Sequence, residues 1–171
     1  MTGPDVAVRP AAEADGAFFA RVYASTREDE VARMGFGEEE RAAFVAQQFA
    51  AQSAHYARCY GGASYGVVVV DGVDAGRLIV ADLADEVLIV DVALLPAFRG
   101  RGVGTRLLAP LLAEADAAGR TVGIHVERFN PAQRLYKRLG FVAGDDDGVY
   151  RKMERPPAAA VLVADQPKTA W

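Results

Sequence analysis

The segment Arg99-Gly-Arg-Gly-Val-Gly104 concentrates more potential chemistry than any other stretch of the chain. Gly100, Gly102 and Gly104 let backbone amides approach a ligand closely. A helix starting directly after them offers N–H groups without intrahelical partners and the positive end of its dipole. Arg99 and Arg101 add positive charge, and Val103 and Thr105 lie at the helix start. The combination suits a pyrophosphate. No Gly-Lys-Ser/Thr follows, so it is not a P-loop. The strands expected before it are antiparallel, which does not suit a Rossmann unit. The alternative is a tight glycine-rich turn with no ligand. Such an exposed loop should accept larger side chains with little loss of fold.

A second group lies about thirty residues on, in Asn130-Pro-Ala-Gln-Arg-Leu-Tyr136-Lys-Arg-Leu-Gly140-Phe141. Tyr136 falls mid-helix beside Leu135 and Leu139. Its ring is either packing or the carrier of a reactive hydroxyl. Asp91, and His125 with Glu127, supply titratable groups on two neighbouring strands, the last two sharing one face by alternation. Asp91 or His125 acts as a base, a water chain takes that role, or the two simply satisfy each other. Further back, Gln48, Gln52 and either His55 or Tyr56 recur at helical spacing as a polar stripe. Arg27 and Glu30 either bind a polar ligand or pair with each other.

Hydrophobic periodicity sets the elements that must position these groups. Val6 and Val8 mark a first strand closed by Pro10. A helix runs from Glu13 to about Arg27, and a second runs from Glu38 towards Arg58 with three acidic residues at its start. Tyr65–Asp71, Asp74–Ala81 and Glu86–Leu95 form an antiparallel meander, with Asp71-Gly72 as a turn. A helix over 103–118 then contains Pro110, which should kink it. Thr121–Glu127 is the next strand. Strand, crossover helix and strand in that order should make the pair parallel. Asn130-Pro131 opens another helix, with Asn as cap and Pro in the first turn. Phe141–Ala143 and Val149–Met153 close the fold as a hairpin. The fold class is α/β (α+β), with one domain over 1–154. Residues 155–171 form a tail in which Val161-Leu-Val163 is a candidate edge strand.

The chain has 171 residues, 51% of them apolar, which suffices for a packed core. A net charge of −4 argues against a nucleic-acid surface. Cys59 is the sole cysteine, so an internal disulfide or thiolate metal cluster is impossible and a reducing cytoplasm is expected. No metal, membrane span or signal peptide is expected.

Arg99-x-x-Gly102-x-Gly104, preceded by Asp91-Val-Ala-Leu-Leu-Pro96 and followed by Asn130 through Phe141, resembles the GNAT superfamily of N-acetyltransferases over roughly residues 5–154. The resemblance implies a mixed, mostly antiparallel sheet flanked by about four helices and splayed at its parallel pair. It implies acetyl-CoA as cosubstrate. The Arg99–Gly104 amides would hold the pyrophosphate, the backbone of Val92, Ala93 and Leu94 would pair with pantetheine, and Asn130 would approach the same arm. Tyr136 would protonate the leaving thiolate. The helix stripe with Thr26-Arg27-x-x-Glu30 is similar to a bacterial subset of the family. The acceptor is then a small-molecule or peptide amine bound by Arg27, Glu30, Gln48, Gln52 and Tyr56. A homodimer stays open, as does a non-catalytic acyl-CoA-binding module.

Overall fold

The computed structural model describes residues 2–158, so the candidate edge strand Val161-Leu-Val163 lies outside the described residues. Seven strands form one sheet in the order β1-β2-β3-β4-β5-β7-β6. They are β1 (Val6–Pro10), β2 (Ser64–Val70), β3 (Val73–Asp82), β4 (Glu86–Leu94), β5 (Thr121–Glu127), β6 (Val142–Asp146) and β7 (Tyr150–Arg155). The helices are α1 (Gly16–Ala32), α2 (Glu38–Cys59), α3 (Val103–Ala117) and α4 (Gln133–Arg138). Among the described residues this is the mixed, mostly antiparallel sheet with four α-helices that the family resemblance implies. The chain divides into two compact units. The first contains the residues up to Ala81 together with Val90–Val103, and the second contains Asp82–Ile89 together with the residues from Gly104 on.

In the first unit β1 and β2 pair antiparallel from Val6↔Val70 to Pro10↔Gly66. β2 and β3 turn back across Asp71-Gly72, whose φ values of 50° and 80° are those of a hairpin turn that glycine and aspartate tolerate. The run Val67, Val68 and Val70 is buried because this central strand is covered on both faces. α1 is longer than its apolar pattern predicts. Val31, 4% exposed, carries the buried face one turn beyond Arg27. α2 begins where the acidic run predicts. Its Glu40 carboxylate accepts from the Gly37 N–H at 3.0 Å, satisfying one donor at the helix start.

In the second unit β4 and β5 are parallel, with a ladder from Glu86↔Thr121 to Ile89↔Ile124. β4 itself continues to Leu94. Val122, Ile124 and Val126 are buried along β5, while His125 and Glu127 are exposed, so alternation assigns the faces correctly. α3 packs Leu107, Leu108, Leu112 and Ala115 inward and runs on through Pro110, which lies on its exposed side. β7 inserts between β5 and β6, pairing antiparallel with both. The β6–β7 turn is held by Asp147, whose carboxylate accepts from the amides of Val149 at 2.9 Å and Tyr150 at 2.6 Å.

α4 departs from expectation. It starts at Gln133, three residues after Asn130. Asn130 Oδ1 accepts from the Ala132 N–H at 2.9 Å, so the asparagine closes a tight turn rather than capping the helix. The following bonds, Gln133 N–H to Asn130 O and Arg134 N–H to Pro131 O, span three residues, and the α-helical ladder begins only after them.

A bidentate pair anchors the end of β7. Arg155 donates to both carboxylate oxygens of Asp116 at 2.7 and 2.9 Å. The guanidinium, helped by the Ala158 N–H, lowers the Asp116 pKa to about 2. A carboxyl held below its unfolded value contributes stability above about pH 4 and loses it as pH falls towards 2. Asp116→Asn should therefore lower Tm at pH 7. The gap from wild type should close between about pH 4 and pH 2 in thermal melts.

Candidate acyl-transfer site

In the first unit the site is organised around a residue whose sequence context carries no motif. Arg77 projects from β3 and is only 3% exposed. Its Cζ lies 5.9 Å from the ring centroids of both Tyr23 on α1 and Phe49 on α2. Those rings are themselves 5.6 Å apart. A guanidinium in such a place needs an anion and acceptors. Asp91 of β4 forms the ion pair, and Gln52 of α2 accepts from Nη2 at 2.7 Å. Burial raises the Asp91 pKa above the ordinary carboxylate value, while Arg77, the Val92 N–H and the more distant Arg27 oppose the rise.

The stripe on α2 is only partly what periodicity suggests. Gln52 and Tyr56 are half-buried, whereas Gln48 is exposed. The inward row of this helix is Val45, Phe49, Gln52 and Tyr56, with spacings of four, three and four. Arg27 and Glu30 form the predicted pair at 3.1 Å, and the Arg27 guanidinium lies over the Tyr23 ring at 5.4 Å.

The glycine-rich loop shows a division of labour. Gly100 and Gly102 have φ values of 69° and 75°, a region that side chains disfavour, and nothing lies within 4 Å of where their Cβ would be. Gly104 is different. A Cβ there would lie 2.6 Å from Leu135 Cδ2, so its role includes close packing of α3 on α4. A larger residue at Gly104 needs the Leu135 side chain to shift, while at Gly100 and Gly102 the positive φ strains any side chain although there is room for it. Arg99 also has a local task. Its Nε donates to the Leu94 carbonyl at 2.8 Å and its Nη2 to Ser25 Oγ at 3.3 Å, tying the end of β4 to α1. Arg101 lies 5.9 Å from the Phe98 ring and 3.9 Å from an Asp71 carboxylate oxygen. Val92, Ala93 and Leu94 lie on β4 beyond its ladder with β5.

In the second unit Tyr136 is 5% exposed and meets Phe141 edge-on at 5.8 Å. The loop before α4 is fixed by Gln133, whose Nε2 donates to the carbonyls of Glu127 at 3.0 Å and Arg128 at 2.7 Å. Asn130 is exposed in that loop. His125 lies on the open face of β5, paired in register with Lys152. The counter-ion of Asp91 is thus Arg77, and the two candidate bases have unlike surroundings. Thr105 is exposed on the first turn of α3. Arg77 and Gln133 are the site-building residues that sequence reasoning missed. Arg77 stands in an apolar strand, Gly-Arg-Leu-Ile-Val, and a lone charge there was a legible signal. Among the described residues, no cluster of three or more His, Cys, Asp or Glu could hold a metal, and no helix is long and apolar enough to cross a membrane.

The architecture is a mostly antiparallel sheet whose parallel ladder stops short on β4 before a glycine-rich turn and a helix. Residues 61–143 match the acetyltransferase (GNAT) domain model. A curated relative, the [ribosomal protein bS18]-alanine N-acetyltransferase of Haemophilus influenzae, is 33% identical over 67 residues. That match covers 39% of this chain and 46% of the relative. Among solved structures, PaiA N-acetyltransferase from Thermoplasma acidophilum, in complex with coenzyme A, superposes with a TM-score of 0.67 at 16% identity. The match covers 89% of this chain and 99% of that one. A GCN5-related N-acetyltransferase from Rhodopseudomonas palustris gives a TM-score of 0.62 at 22% identity, covering 91% and 97%. At these identities the likeness is one of fold.

Removing one partner of a buried pair costs far more than the pair contributes. Arg77→Met keeps the stem between the two rings and strands the Asp91 carboxylate. It should cost about 3–5 kcal/mol in urea unfolding. A carboxyl raised above its unfolded pKa weakens the fold as pH rises through its folded value. The loss in Arg77→Met should therefore be larger at pH 8 than at pH 5, and Asp91→Leu added to it should recover part of the stability.

Proposed function

We propose that this protein is an acetyl-CoA-dependent N-acetyltransferase that acts on a primary amine by direct attack. The observation that carries the reading is the segment beyond Ile89. There β4 continues past its parallel ladder and leads into a turn with two positive-φ glycines and the start of α3. The strand edge beyond the β5 ladder can pair with the amides of an extended pantetheine arm, and Val92, Ala93 and Leu94 are assigned to it. Amides of Arg99 through Thr105 suit the pyrophosphate, because Gly100 and Gly102 leave open space where side chains would stand. With Arg99 engaged by Leu94 and Ser25, the backbone is the better candidate for that contact. Asn130 keeps its amide NH2 for the pantetheine arm while its oxygen closes the turn.

Acetyl-CoA supplies the activated thioester. An acceptor amine must lose its proton before attack, since alkylammonium groups have pKa values near 10. Asp91, His125 or a water is the proton acceptor. A β4 backbone N–H can meet charge developing on the thioester oxygen. Tyr136 donates its proton to the departing sulfur. Arg27, Glu30, Gln48, Gln52 and Tyr56 are assigned to the acceptor, which the curated relative's ribosomal-protein alanine substrate suggests is a peptide or small amine. The lone Cys59 and the absence of disulfides favour a cytoplasmic setting.

Thiol release from acetyl-CoA with a mixture of primary amines tests the activity; binding without release would favour the non-catalytic module. Tyr136→Phe keeps the ring and removes the hydroxyl. It should lower kcat by about a hundredfold, in the range of general acid catalysis, with acetyl-CoA affinity unchanged. Gly102→Val forces a β-branched residue to φ near 75°, so it should weaken acetyl-CoA binding, measured by calorimetry, and lower Tm by the backbone strain it introduces.

A further inference from the structure

Gln52 has only one orientation available. Arginine carries donors and no acceptor, so the contact at 2.7 Å must be made by the glutamine oxygen. Rotating the carboxamide would set its NH2 against the guanidinium, donor against donor. The guanidinium in turn cannot move aside, because it lies between the Tyr23 and Phe49 rings and is ion-paired to Asp91. The Gln52 NH2 is therefore turned away from Arg77, and among the described residues it has no acceptor. Gln52 is half-buried, which makes that donor an expensive one to leave unmet once a ligand excludes water.

The second half of the arrangement is Asp91. The same nitrogen, Arg77 Nη2, contacts both Gln52 Oε1 and Asp91 Oδ2. The carboxamide and the carboxylate thus flank one atom, within two hydrogen-bond lengths of each other. Arg77 is too buried to meet a ligand, while the Asp91 side chain keeps 17% of its surface exposed. Asp91 Oδ2 is itself buried, so what a ligand can meet is the Gln52 donor beside the exposed remainder of the Asp91 side chain. The complementary ligand presents an acceptor oxygen beside an amine.

We propose that Gln52, oriented by Arg77, makes this site selective for amines whose α-carbon carries a carbonyl group, as in an α-amino amide or a peptide N-terminus. This rests on the acetyl-transfer reading. An unadorned alkylamine satisfies Asp91 and leaves the Gln52 donor unpaired, and sites built to hydrogen-bond a substrate group reject analogues lacking it. Gln52 is a specificity-determining residue here, and Arg77 is a positioning residue that acts through it.

The test compares L-alaninamide with isopropylamine, which replaces the carboxamide by a methyl group, using thiol release from acetyl-CoA. The readout is the ratio of their kcat/KM values in wild type and in Gln52→Glu. Glutamate keeps an oxygen for Arg77 and has no NH2. Amine basicity is common to both proteins, so the change in ratio isolates the side chain. The ratio should fall by about tenfold or more, the worth of one hydrogen bond to a buried donor. Gln52→Met, which needs no charge, should lower it as well and covers the case of a poorly folded Glu variant. A ratio unchanged in the folded variants overturns the inference and leaves acetyl transfer standing. So does turnover of a mixture of other primary amines with none of alaninamide. Absence of thiol release with every amine by the wild type overturns both.

Discussion

A guanidinium buried between two aromatic rings is tolerable only if its charge is met, and the first unit is arranged to meet it. Arg77 comes from β3, its counter-ion Asp91 from β4, its hydrogen-bond partner Gln52 from α2, and the ring Tyr23 from α1. Four elements distant in sequence converge on one cation. Hydrophobic contact alone would let α1 and α2 slide on the sheet, because apolar packing is weakly directional. A charged group with fixed donor directions does not allow that, since each displacement leaves a buried charge unpaired.

The same pair links architecture to chemistry. Asp91 is held in a place that disfavours its charge, yet a cation adjoins it. Burial and the guanidinium pull its proton affinity in opposite directions, and burial wins. A carboxyl poised in this way differs from an ordinary surface aspartate such as Asp116, where the arginine contact dominates and the affinity falls. An arginine partner alone therefore does not set the direction of a carboxyl's shift; the depth of its surroundings does.

The second unit uses amide and packing constraints. Gln133 fastens the loop between β5 and α4 through two backbone carbonyls, and Gly104 permits α3 to approach Leu135. Both act on the short helix that carries Tyr136. The glycine-rich loop therefore has two kinds of glycine. Those at 100 and 102 serve backbone conformation, and the one at 104 serves contact between helices.

Strand and helix order, the parallel β4–β5 pair, the hairpin turns and the glycine-rich loop were legible in the residues, because alternation, helical spacing and turn chemistry act over a few positions. β5 was legible to the residue, Thr121 to Glu127. The start of α4 was not, since Asn130 can either cap a helix or close a turn, and only the bonds that follow it decide between them. The extent of α1 was missed because Val31 gains its burial from residues far along the chain. Arg77 passed unnoticed for the same reason: its significance lies in Asp91, Gln52, Tyr23 and Phe49, fourteen to fifty-four positions away. The sequence by itself determined which elements form, through short-range periodicity. Tertiary structure alone decided which polar side chains face each other, because pairing energies depend on distance and burial, and neither is written in residue spacing.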